Sequence, residues 1–191
     1  MPALVLLNGP PAVGKSTVAR RLIDRRPLAL ALDLDVVRGQ LGRWLDDPVG
    51  AGLAARELAL VMARTHLSSG RDVVVPQFLG RLDFVEQLEA TAHDVRADFA
   101  EVALLLDRAG TVAAFAARSR DPEDQTHLDA LALVERSELD DPIGEAWDAL
   151  QRVLVARPAT VHIDVVRGDP DATADAVRAA LGWRDPPTTD G

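Results

Sequence analysis

The chain has no cysteine. That excludes disulfides, thiolate catalysis and any cysteine-based zinc or iron–sulfur site. Its four histidines, His66, His93, His127 and His162, lack the H-x-x-x-H spacing of a zinc helix and read as surface or helix-face residues. No apolar run approaches the length of a membrane helix, and Met1–Leu7 has neither a basic start nor a cleavage site, so a cytoplasmic protein with no membrane partner is expected. Positive charge is scarce as well. A net charge of −9 argues against a broad nucleic-acid surface, because phosphate backbones are held by basic patches, and leaves room only for a local cationic pocket. Nothing in the sequence marks an oligomeric state.

Lysine is almost missing too: Lys15 is the only one among 21 basic residues. It lies in Gly9-Pro10-Pro11-Ala12-Val13-Gly14-Lys15-Ser16, which fits the phosphate-binding pattern G-x-x-x-x-G-K-[ST] at every fixed position. The apolar run Ala3–Leu7 before it reads as a strand buried on both faces, and 16–23 after it as a helix with Val18, Ala19, Leu22 and Ile23 on one face. Strand, loop and helix in that order turn backbone N–H groups and a helix N-terminus toward one anion. Residues Gly9 to Thr17 are therefore expected to hold ATP, with Lys15 on the β/γ-phosphates and the Ser16 hydroxyl on Mg²⁺.

A chain of 191 residues, 48% of them hydrophobic, suits one core. Further strands are expected at 27–32, 72–75, 99–106 and 160–164. Helices are expected at 53–67, 82–91, 111–119, 128–139, 143–154 and 171–181, with a short helix or loop at 35–45, turn residues at 46–50 and a frayed tail over 182–191. Five apolar strands alternating with helices predict an α/β fold, a parallel sheet with helices on both faces and ligands at the carboxyl ends of the strands. One domain over 1–181 follows.

After the second strand comes Asp33-Leu34-Asp35. One carboxylate there is positioned for a Mg²⁺-bound water, assigned to Asp33, and the other to take the proton of an attacking hydroxyl, assigned to Asp35; the two roles are exchangeable. A helix cap is the alternative for Asp33. Arg38 and Trp44 follow and are expected, with Asp35, to touch the acceptor. After the third strand stands Pro76-Gln77, where a motor ATPase would carry an acid; Asp72 precedes that strand and lies at the wrong end of the sheet. Gln77 and Arg81 are either acceptor contacts or loop polar groups. The helix 53–67, with Arg56, Glu57 and Arg64, is expected to cover the acceptor.

The phosphate loop, the Asp-x-Asp pair and the break at Arg118-Ser119-Arg120-Asp121 resemble the small P-loop kinases related to shikimate kinase, gluconate kinase and chloramphenicol phosphotransferase. Val73–Gly80 is similar to the third-strand region of the chloramphenicol phosphotransferase type, but has Pro76-Gln77 where that type has acids. The resemblance implies a sheet order of 2-3-1-4-5, and a lid over 118–126 whose Arg118 and Arg120 reach the phosphates. It also implies an adenine site flanked by Arg167, Asp169 and Pro170. A solvated helix end is the other reading of the two lid arginines. The expectation is an ATP-dependent phosphotransferase acting on a hydroxyl of a small molecule such as a metabolite, sugar, nucleoside or antibiotic. A nucleotide or polynucleotide 5′-kinase, its strand end held by Arg38, Arg43 and Trp44, is the first alternative. An ATP-binding protein that sequesters its ligand without transfer is the second.

Overall fold

Uninterrupted apolar runs become the central strands. In the computed structural model, which describes residues 1–183, β1 (Ala3–Asn8) is buried along its whole length. It lies between β3 (Val73–Pro76) and β4 (Asp98–Leu105), with β2 (Leu30–Ala31) and β5 (Val161–Asp164) at the edges. All pairings are parallel and the order is β2-β3-β1-β4-β5, as the resemblance implied.

Alternation along β1 feeds two cores. Leu4 and Leu6 pack with Val73 and Val75 under α2 (Leu34–Gly39), α3 (Pro48–Ser68) and α4 (Leu82–Asp94). Val5 and Leu7 point the other way, onto Val18 and Leu22 of α1 (Lys15–Ile23) and Ala174 and Val177 of α8 (Pro170–Ala180). A third, smaller cluster joins Ala103 of β4 to Leu150 and Leu154 of α7 (Pro142–Ala156). Between β4 and α7 come α5 (Arg108–Arg120) and α6 (Gln125–Glu135), separated by a four-residue break.

Several boundaries differ from the sequence reading. The second strand is two residues long: Leu28 takes a left-handed φ of 59° after Pro27, so only Leu30 and Ala31 reach the ladder. The expected turn at 46–50 is the first turn of α3, because Asp47 accepts from Gly50 N–H at 2.9 Å and Pro48 occupies the first helical position. Gly182 and Trp183, expected in the frayed tail, are fixed. Trp183 N–H donates to Arg178 O (2.9 Å) and its ring lies 4.2 Å from the Arg26 guanidinium. The rest of that tail, 184–191, falls outside the described residues. Asp72 is structural, as its place in the sheet foretold: it accepts from Ala3 N–H (2.8 Å) and Arg26 Nε (2.6 Å).

Candidate active site

The loop Gly9–Gly14 leaves β1 through two conformations that suit glycine. Gly9 has φ 154°, and a Cβ there would stand 2.8 Å from Leu104 O and 2.9 Å from Val13 Cγ1. Gly14, with φ 95°, caps α1 in the left-handed region. Ahead of them sits a residue the sequence reading missed. Asn8 is fully buried, and its Oδ1 accepts from Gly9 N–H (2.8 Å) and Leu79 N–H (3.0 Å) while its Nδ2 donates to Leu79 O (3.2 Å). This amide ties the start of the phosphate loop to the segment following β3. A polar residue closing an apolar strand was the only sequence signal for it.

Lys15 begins α1, and its Nζ donates to Gly9 O and Pro10 O at 2.9 Å each. Burial lowers its pKa to about 8, with Arg118 adding to the decrease and Asp35 and Asp33 opposing it. Next to it the Ser16 hydroxyl donates to Asp33 Oδ2 at 2.7 Å. Asp33 also takes the cap role considered for it: its Oδ1 accepts from Asp35 N–H at 3.0 Å at the start of α2.

Asp35 lies in the first turn of α2. Burial in the cleft raises its pKa, and Asp33 reinforces this, against the pull of Arg38, Lys15 and Arg118. Arg38, one turn on, sets Nη1 3.0 Å from Asp35 Oδ1 and lays its guanidinium 4.6 Å from the centre of the Trp44 ring. Arg118 enters from the last turn of α5, over Phe115, and burial lowers its pKa while Asp35 and Asp124 work the other way.

These groups share a cleft of about 750 Å³. Pro11, Ala12, Gly14, Lys15, Ser16 and Thr17 form one end; Asp33, Asp35, Arg38 and Gln77 form its floor. The far wall comes from α5, α6 and α7. A smaller hollow of about 300 Å³ opens on the other flank of the loop, bounded by Ala12, Val13 and Thr17 on one side and Arg167 and Pro170 on the other.

Some expected residues are not brought to the cleft. Arg120 is two residues beyond Arg118, about 200° further round the helix, and is exposed. Arg81 is exposed at the start of α4, away from the cleft, and Trp44 supports Arg38 from behind. Asp169 caps α8 through Ala172 N–H (2.8 Å) and does not line the smaller hollow. Helix α3, expected to cover the acceptor, contributes nothing to the lining. Its small residues Ala55, Ala59 and Ala63 are pressed onto the sheet, and Arg56 reaches the Phe84 ring. The cleft is lined instead by Thr126, Ala130, Leu133 and Val134 of α6 and by Ser137 just past its end. Their i, i+4, i+7 spacing was present in the sequence.

The donors around Ser16 and Asp33 are all oxygens, the set a hard cation such as Mg²⁺ takes, and no group of three or more acidic, histidine or cysteine side chains among the described residues forms a metal cage of its own. The residues fit a cation held mainly by a bound nucleotide. No helix among the described residues is long and apolar enough to cross a membrane.

Comparison with solved structures gives the same architecture. The Deinococcus radiodurans tunicamycin resistance protein superposes with TM-score 0.61 at 18% identity, over 98% of this chain and 100% of that one. The Mycobacterium tuberculosis APS kinase in complex with AMPPNP and APS gives 0.58 at 18%, over 95% and 98%. Shikimate kinase from Acinetobacter baumannii in complex with shikimate gives 0.57 at 18%, over 95% and 94%. No curated protein matches by sequence. A family model described as an AAA domain matches residues 4–137, most of the chain; the chain therefore belongs to that family, and by fold it stands with the small P-loop kinases.

Proposed function

We propose that the protein is a phosphotransferase that moves the γ-phosphoryl group of ATP to a hydroxyl of a small molecule. The observation that carries this reading is the carboxylate of Asp35, which lines the same cleft as Lys15 and Arg118 and is held at 3.0 Å by Arg38. Simple retention of a nucleotide needs no carboxylate beside its terminal phosphate, where it would repel the charge. A proton acceptor is needed there for transfer.

In this reading the loop N–H groups and Lys15 hold the phosphates. Ser16, oriented by Asp33, would ligate Mg²⁺, which when bound neutralises charge on the β- and γ-oxygens. Arg38 fixes the Asp35 carboxylate by the 3.0 Å ion pair. Asp35 takes the acceptor's proton as the acceptor oxygen bonds to the γ-phosphorus and the bond to ADP breaks. Arg118 is placed for the charge that spreads over the equatorial oxygens. The raised pKa of Asp35 brings a carboxylate closer to the working range of a general base. Arg167 and Pro170, on the other flank of the loop, are placed to border the adenine. The break and helix spanning 118–126 act as the lid.

ADP release measured with Mg²⁺ and a panel of hydroxyl compounds tests this. One or more neutral alcohols should raise ADP release above the rate with water alone and yield a phosphate ester. ATP binding without ester formation from any hydroxyl compound would return the protein to the sequestering reading.

A further inference from the structure

Among the polar groups of α5, α6 and α7 that line the cleft runs an apolar stripe. Phe115 of α5, Leu133 and Val134 of α6, and Ile143 and Ala146 of α7 face the cleft, joined by Phe78 from the segment after β3. The Phe78 ring is pinned from behind: a Cβ at Gly80 would lie 3.0 Å from its Cζ and 2.9 Å from Ala149 Cβ, so only glycine leaves the ring where it is. Leu133 and Val134 are half-exposed, and the one buried residue of α6 is Asp129. The apolar stripe of this helix therefore faces the cleft and is not spent on the protein core.

The charges in the cleft point the same way. Four permanent cations line it, Lys15, Arg20, Arg38 and Arg118, against five carboxylates. Lys15 and the exposed Arg20 lie on the phosphate side; Arg38 is held by Asp35 and Trp44, and Arg118 stands beside Asp35 and Asp124. The carboxylates outnumber these cations, so the lining holds no surplus of positive charge for an anionic group on the acceptor, and a bound nucleotide adds negative charge. Two polar atoms of the lining are buried without a hydrogen-bond partner among the described residues, Arg38 Nε and Gln77 Oε1, a donor and an acceptor that match the two hydrogen-bonding sides of a neutral hydroxyl.

We propose that the acceptor is a neutral hydroxyl compound with an apolar body, its body lying under α6 against Phe78, Phe115, Leu133, Val134 and Ile143 and its polar end beside Gln77 and Asp35. This rests on the phosphotransfer reading and narrows its substrate class.

The probes are primary n-alkanols of two to eight carbons and the ω-hydroxycarboxylates of matching length, titrated calorimetrically into the protein saturated with Mg²⁺ and a non-hydrolysable ATP analogue. Alkanol affinity should rise about fourfold per methylene as each is buried. Hydroxycarboxylates of equal length should bind ~10-fold more weakly, because the lining and the bound nucleotide are together negative. Leu133→Asn should flatten the chain-length slope and Leu133→Met should keep it, with circular dichroism confirming that both fold. A flat slope in the parent, a slope untouched by Leu133→Asn, or preference for the hydroxycarboxylates overturns the proposal. The outcomes separate from those of the parent reading. A chain-length slope without any phosphate ester removes phosphotransfer and keeps the apolar site; ester formation only from anionic acceptors does the reverse.

Discussion

On the phosphate side of the cleft each turn of the backbone is held by interior contacts: Gly9 against Leu104 and Val13, Asn8 bonded to Gly9 and Leu79, α1 rooted in the sheet through Val18 and Leu22. On the side proposed for the acceptor, α6 is bounded by a polar break, buries only Asp129, and turns its apolar residues to the cleft. The contrast teaches where geometry must be fixed. A triphosphate is always the same shape, so its cradle is built rigid, whereas an acceptor is met by half-buried helices whose side chains are free to differ.

The largest effect that would break this comparison is at Lys15. Lys15→Ala should lower transfer ~10²-fold or more by removing an electrostatic contact to the transferring phosphate. The same variant should be more stable. The folded pKa, about 8, lies below the ordinary 10.5, so folding disfavours the charged lysine at neutral pH, and stability rises as pH climbs from about 8 to 10.5. At pH 7 Lys15→Ala should therefore raise the thermal midpoint, with each kcal/mol gained moving it by ~2–4 °C in a chain of this size. A calorimetric scan that finds it destabilised would show that the lysine supports the fold. In the parent, ATP affinity should fall as pH rises through about 8, where free Lys15 loses its proton.

Next in size is the clamp. Asn8→Ala strands the buried Gly9 N–H and both backbone groups of Leu79, each worth ~1–3 kcal/mol when left unpaired. Urea denaturation should show that loss, and ATP affinity should fall with it because the loop loses its anchor. A variant as stable as the parent would mean the two segments hold each other without Asn8.

The two arginines of α5 sharpen the contrast within one helix. Arg118→Ala should slow transfer, while Arg120→Ala, at an exposed position, should stay within ~0.5 kcal/mol of the parent in stability and leave the rate nearly unchanged. Equal losses at both would mean that the helix rotates on closure. A more local effect is expected at Asp124, which caps α6 by accepting from His127 N–H (3.1 Å) and the Thr126 hydroxyl (2.6 Å). Asp124→Ala should cost ~1 kcal/mol. The loss should appear as faster hydrogen exchange confined to 125–135, with the sheet unaffected.

The same contrast governs what could be read from the residues. Buried parallel strands announce themselves as unbroken apolar runs, and the phosphate loop as a fixed spacing, so sheet, cradle, Lys15, Ser16 and the Asp33-x-Asp35 pair were legible. Asn8 was not, because its partner Leu79 lies 71 residues away and a local pattern carries no long-range pairing. The start of α3 was misread because Asp47-Pro48 serves equally as turn chemistry and as a helix beginning. Arg120 and Arg81 were grouped with their neighbours by position, but helix rotation and exposure separate them from the cleft. The acceptor wall was assigned to α3, the longest helix, when its alanines are pressed against the sheet and the weaker periodic segment at 125–135 faces the cleft.

Asp35→Asn tests the central claim most directly. The substitution keeps the shape of the side chain and removes the proton acceptor, so ATP should still bind. In rapid-quench single turnovers with γ-labelled ATP and an alcohol the parent phosphorylates, labelled ester should form ~10²-fold more slowly or worse. The parent's rate should fall at low pH as the Asp35 carboxylate takes up a proton, a limb its raised pKa moves toward neutrality and the variant should lack. Ester formed at the parental rate, with the acid limb intact, would contradict the assignment of Asp35 as the base.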